Sequence, residues 1–113
     1  MNSTMKKHFV NPQNMGQIKK PTHVSKKKSG FCGDTVEVYA IINDGKIESL
    51  KYNVFGCYAV IAASSVISEW AQNKTFDELK SLTFDDVFLM LGGELEEGKD
   101  TCVKTAIEAF TSL

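Results

Sequence analysis

The tripeptide Asn43-Asp44-Gly45 separates two runs of strand character, residues 35–42 and 46–55. Asp-Gly between two such runs is a strong hairpin signal, because the tight turn needs positive φ, which glycine adopts at little steric cost. The first run is rich in β-branched and aromatic residues. In the second, Leu50, Tyr52 and Val54 fall on one face while Ser49, Lys51 and Asn53 fall on the other, the alternation of a half-buried strand. Residues 22–29 alternate and are rich in lysine, which suits an exposed edge strand where charge discourages unwanted pairing. Such a sheet has one apolar face and requires a covering layer.

The second half of the chain supplies that layer. Val60, Ala63, Ile67 and Trp70 recur at helical spacing through residues 57–71, predicting a helix with a core-facing stripe. Thr75 with Glu78 three positions on forms a capping box opening a short helix to Leu82, and another short helix runs from Thr83 to the stop at Gly92-Gly93. Val103, Ala106, Ile107 and Phe110 mark a terminal helix. Residues 1–17 lack a sustained apolar period, and turn formers crowd residues 11–16, so this stretch reads as an irregular arm. Strands first and helices afterwards predict a single α+β domain over residues 1–113, with a small antiparallel sheet of about three strands and helices packed on one face.

A chain of 113 residues that is 42% apolar can bury a continuous core without disulfide staples. With 13 basic and 14 acidic residues its net charge is −1, so nothing in the balance calls for nucleic acid or a membrane as partner. Charge is uneven along the chain: Lys6, Lys7, Lys19, Lys20, Lys26, Lys27 and Lys28 lie in the first quarter, and Asp77, Glu78, Asp85, Asp86, Glu94, Glu96 and Glu97 in the later part. The lysines read as a solvated face or a docking surface. No apolar run approaches the roughly 18 to 20 residues of a membrane helix, so a soluble, cytoplasmic protein is expected.

Three cysteines is an odd number, which fits reduced thiols better than a paired disulfide framework. Each falls at an element boundary: Cys32 in the turn Gly30-Phe31-Cys32-Gly33-Asp34, Cys57 where the second strand gives way to the long helix, and Cys102 near the start of the last helix. Such positions are expected at the rim, and the helix N-termini at Cys57 and Cys102 are expected to lower the thiol pKa. Asp34, across one glycine from Cys32, can offer a carboxylate oxygen as a fourth ligand. Three thiolates and a carboxylate suit zinc or an iron–sulfur cluster better than magnesium or calcium. Spacings of 25 and 45 residues lack the close Cys-x-x-Cys pairs of zinc fingers.

Other residues have simpler readings. His8 and His23 suit packing or surface roles, Ser64 and Ser65 are small residues that let helix and sheet approach, and Trp70 is core. Lys99, three residues before Cys102, either offsets the charge of a thiolate cluster or is an ordinary solvated lysine.

Asn11-Pro12-x-Asn14-x-Gly16, Cys32-Gly33-Asp34, Gly56-Cys57 followed by Ala59-x-Ile61-Ala62-x-Ser64-Ser65, and Cys102 opening a terminal helix occur in an order and spacing that resemble the iron–sulfur cluster scaffold family of the IscU and NifU N-terminal type. The resemblance runs from about His8 to the C-terminus. It implies a SufE/NifU-like α+β fold and a carrier, not an enzyme, on which a [2Fe-2S] cluster is assembled and passed to apo acceptor proteins. It further implies a cysteine desulfurase of IscS/NifS type as sulfur donor, and Cys32, Asp34, Cys57 and Cys102 as assembly ligands. Zinc is an alternative occupant. There is no insertion between Cys57 and Cys102 of the size seen in the zinc-dependent SufU branch.

Two departures from the family pattern stand out. Thr101 occupies the place where the family often has histidine, so no histidine ligand is available there. Leu95-Glu96-Glu97-Gly98-Lys99 replaces the Leu-Pro-Pro-Val-Lys segment that a dedicated Hsp70-type chaperone reads, and losing both prolines with their preformed extended shape argues against that partner. A different class of function, a zinc-bound sulfurtransferase-type protein taking persulfide sulfur at Cys102 or Cys32, is the alternative to a scaffold.

Overall fold

In the computed structural model, which describes residues 1–29 and 33–113, the chain runs α1 (Ser3–Val10), β1 (His23–Lys28), β2 (Thr35–Asn43), β3 (Lys46–Phe55), α2 (Tyr58–Trp70), α3 (Phe76–Lys80), α4 (Phe84–Met90) and α5 (Asp100–Thr111). The strands form a three-stranded antiparallel sheet in the order β1-β2-β3. Asp44 and Gly45 both take positive φ, 52° and 73°, and close the β2–β3 hairpin where the Asp-Gly pair predicts it. The register pairs Ile41 with Ser49 but Ile42 with Ile47, so Glu48 is an extra residue on β3. This bulge lets Ile47 and Leu50, which a strict alternation would put on opposite faces, both enter the core.

The inward face carries Val36, Val38, Ala40, Leu50 and Tyr52. Its cover is helical: α5 lies against β1 and β2, and α2 against β3. The outward face is polar, with Lys26 in a 3.7 Å ion pair with Glu37 and the Tyr39 hydroxyl donating to Glu37. Both short helices begin with capping boxes, Thr75 with Glu78 in α3 and Thr83 with Asp86 in α4.

Two expectations are corrected. The N-terminal arm is not irregular throughout, because Ser3–Val10 is helical. The Asn2 side chain accepts from Met5 N at 2.9 Å and donates to Leu91 O at 2.8 Å, and Met5 and His8 point into the protein. Two inward residues, one of them histidine, are too few to register as an apolar period. The second correction concerns α2, whose burial is not confined to one stripe: Ala59, Val60, Ala62, Ala63, Ser64, Ser65, Val66, Ile67 and Ser68 are all buried. The sheet, α1, α4 and α5 surround this helix, and its alanines and serines let them come close.

The turn-rich segment after α1 ties that helix down. Gln13 N donates to Ser65 Oγ at 2.9 Å, and Asn14 Nδ2 donates to Ser68 Oγ at 3.2 Å. Gly16 N donates to Tyr52 O at 2.8 Å. Ser65 therefore does more than permit close approach: its hydroxyl also shares a 2.7 Å hydrogen bond with Nδ1 of the buried His8.

Candidate metal centre

Three elements deliver their ends to one place. The β2–β3 register pairs Thr35 with Phe55, so the residue before β2, Asp34, lies beside Gly56 and Cys57 where β3 turns into α2. Cys57 is the N-cap of α2, and Cys102 is the third residue of α5, which crosses the sheet to reach the same end. One donor atom from each of Asp34, Cys57 and Cys102 lies within 4.8 Å of the others. The two sulfurs are 3.3 Å apart, and Oδ2 of Asp34 is 4.0 Å from Cys57 Sγ. Cys32, the remaining residue of the expected set, lies outside the described residues.

Cys57 caps α2 by position but not with its side chain. Its own N–H donates to Oδ1 of Asp34 at 3.2 Å, so the carboxylate meets the partial positive charge at the start of α2. This approach depends on Gly56. A Cβ there would stand 2.3 Å from Asp34 Oδ1 and 2.8 Å from both Asp34 Cγ and Val60 Cγ1. The Asp34 backbone is also held, its carbonyl accepting from Ser29 N at 2.7 Å. The carboxylate is thus fixed by one oxygen while the other faces the thiols.

The donors sit in an open cleft of about 460 Å³ whose walls include Val54, Phe55 and Ile61, with Lys99 on its lining. Asp34 is 2% exposed and Cys102 1%, so the thiols are not uniformly at the rim as their junction positions suggest. The thiol expectation is reversed at Cys102 as well. Burial, the adjacent Asp34 carboxylate and Cys57 together push its pKa up, outweighing the helix N-terminus. A thiol so placed is protonated in the metal-free protein, and a cation arriving among these donors supplies the charge that releases its proton.

The histidines lie elsewhere. His8 is buried against α2, and His23 on β1 packs edge-on against Phe76 at 5.0 Å. Thr101 is exposed, and its hydroxyl donates locally to Gly98 O at 3.4 Å. Among the described residues, then, the assembled donor set is sulfur and carboxylate without imidazole. Soft thiolates in an open cleft fit iron–sulfur chemistry or zinc. The sequence reading passed over Tyr58, whose ring contacts Lys99 5.1 Å from its centroid; its position directly after Cys57 was the available signal.

A family model described as NifU-like N terminal domain matches residues 2–112. Two proteins of Archaeoglobus fulgidus, named iron-sulfur cluster assembly scaffold proteins IscU 1 and IscU 2, are each 39% identical over 103 residues, covering 91% of this chain and 67% of their own length. The Aquifex aeolicus protein named iron-sulfur cluster assembly scaffold protein IscU is 31% identical over 105 residues, with 91% of this chain and 66% of its own covered. Among solved structures, a putative scaffold protein for the SUF system from Fervidobacterium islandicum superposes with a TM-score of 0.81 at 17% identity, covering 97% of this chain and 93% of that one. A NifU-like N-terminal protein from Brucella abortus gives 0.77 at 24% identity, with 98% and 89% covered. At those identities the structural likeness speaks for the fold, and the predicted three-stranded antiparallel sheet with its helical layer is the fold observed.

Proposed function

The chain belongs to the NifU-like N-terminal domain family, and from that membership we propose that it is a scaffold on which an iron–sulfur cluster is assembled and from which it is handed on. The observation that carries the reading is the meeting of Cys57, Cys102 and Asp34 at one end of the sheet, with Gly56 kept free of a side chain so that the carboxylate can approach. Cys32 completes the ligand set. The cargo is a [2Fe-2S] cluster, with zinc as a competing occupant of the same donors.

Cluster iron is normally held by four thiolates, and a carboxylate is a harder, less well matched donor. Asp34 therefore gives one corner of the cluster a weaker hold, where an acceptor's cysteine can begin exchange. The open cleft leaves room for that exchange. The protein carries its cargo instead of turning over a substrate. Its partners are a cysteine desulfurase of IscS/NifS type, which supplies sulfur, and apo iron–sulfur proteins that receive the cluster. No helix among the described residues is long and apolar enough to cross a membrane.

Anaerobic reconstitution of the full chain with iron, cysteine and a desulfurase, followed by visible absorption, tests the reading. The expected result is a cluster chromophore that Cys32→Ser, Cys57→Ser and Cys102→Ser each abolish or shorten in lifetime. A chromophore equally strong and long-lived in all three variants overturns it.

A further inference from the structure

Tyr58 directly follows Cys57 and opens α2, so the turn that places the Cys57 sulfur also places the Tyr58 ring. The Lys99 ammonium lies over that ring, 5.1 Å from its centroid. Behind it, Phe9 of α1 packs edge-on at 6.3 Å and 75°, bracing the ring from the side of the N-terminal helix. Lys99 is the N-cap residue of α5, and its side chain lines the cleft that contains Asp34, Cys57 and Cys102. Tyr58 and Lys99 are both half-buried. Glu96, whose carboxylate is 3.7 Å from the amino terminus of Met1, is an anion that interacts with both Tyr58 and Lys99.

Two thiolates and a carboxylate bring three negative charges to this cleft from the described residues alone. A divalent metal leaves one of them unbalanced, and the burial of Asp34 and Cys102 makes that imbalance costly. Lysine carries its charge on a flexible four-carbon stem, so an unsupported ammonium spreads over many positions. An aromatic face within about 6 Å attracts the cation and narrows that spread. Lys74, Lys80 and Lys104 also lie over aromatic rings, but of these four lysines Lys99 is the one whose ring contact stands at the cleft that holds Asp34, Cys57 and Cys102.

We propose, on the ligand set of the scaffold reading above, that Tyr58 is a positioning residue that holds the Lys99 ammonium beside the cleft, where it balances the charge of the metal-loaded thiolates and carboxylate. Tyr58 touches no cargo; it acts through Lys99. The loaded site then depends on an aromatic ring and not on the phenol oxygen.

Competition between the reduced, metal-free full chain and a chromophoric chelator for zinc reads this directly. Tyr58→Leu and Lys99→Met should each weaken zinc binding about fivefold, the range of a partly solvated cation–π contact. The double variant should be no weaker than Lys99→Met alone, and Tyr58→Phe should bind as the parent does. Unchanged affinity in Tyr58→Leu, or a double variant that loses the product of both single effects, overturns the proposal. If Tyr58→Leu does not fold, Tyr58→Met removes the aromatic face with an unbranched side chain instead, and an affinity equal to the parent's overturns the proposal. Cys57→Ser and Cys102→Ser separate the two levels. If both bind zinc like the parent, the ligand set is wrong and the positioning role falls with it; if both lose zinc while Tyr58→Leu matches the parent, only the positioning role fails.

Discussion

Gly56 and Asp34 are fitted to each other: the carboxylate oxygen that accepts from Cys57 N–H occupies the space a Gly56 side chain would need, 2.3 Å from where its Cβ would stand. Gly56→Ala must therefore move the carboxylate, Val60 or both. The expected cost is about 1–3 kcal/mol of stability, the range for an overpacked position, measured by urea denaturation. Zinc affinity should fall further than in a variant of equal instability placed far from the cleft.

Asp34→Cys tests why a carboxylate stands among thiols. It removes the acceptor of Cys57 N–H, so the metal-free variant should be about 1 kcal/mol less stable. If the new sulfur reaches iron, the cluster should last longer and transfer more slowly to an apo-ferredoxin. Equal lifetimes and equal transfer rates would leave Asp34 with the capping role alone.

Metal should stabilise the protein in a pH-dependent way, and the sign differs between metal-free and loaded forms. In the metal-free fold the Cys102 thiol is raised above its ordinary value of 9.0, chiefly by burial. Its contribution is present below that pH and is lost as pH rises, because the unfolded thiol ionises while the folded one resists. Metal reverses this: binding displaces the thiol proton, so stabilisation by zinc grows with pH up to the point where the thiols would ionise unaided. Melting curves with zinc or chelator across pH 6 to 10 check both trends, and Cys102→Ser should flatten the metal-free decline.

His8 gives an opposite window at the other end of the scale. Burial lowers its pKa below 6.5, outweighing the pull of Glu69. A depressed value means that stability is present above 6.5 and is lost as pH falls, since the unfolded imidazole takes up the proton first. His8→Gln should make melting temperature less sensitive to pH between 7 and 5. Ser65→Ala should cost about 1–3 kcal/mol, because it leaves both His8 Nδ1 and Gln13 N–H without the hydroxyl that serves them.

Features fixed by neighbouring residues were legible in the sequence. The Asp44-Gly45 turn, the Thr75–Glu78 box and the Gly92-Gly93 stop each depend on residues within a few positions, and each occurs where the pattern places it. Features created by assembly were not. α1 is held by Asn2 reaching Leu91 and by His8 meeting Ser65, contacts between residues 89 and 57 positions apart. The burial of Cys102 depends on what α5 packs against, so the rule that helix N-termini acidify thiols gave the wrong sign there. Motif order anticipated the meeting of Asp34, Cys57 and Cys102, but the reason for Gly56 emerges only from the β2–β3 register.

The ligand set itself is most directly read by the Mössbauer spectrum of protein reconstituted with ⁵⁷Fe. Cys32, Cys57, Cys102 and Asp34 around a [2Fe-2S] cluster make one iron ligated by two cysteines and the other by a cysteine and a carboxylate. Two quadrupole doublets of equal area should result, and in Asp34→Cys the doublet with the larger isomer shift should move to meet the other. A single doublet that Asp34→Cys leaves unchanged, or iron that fails to bind as a cluster at all, would contradict the account.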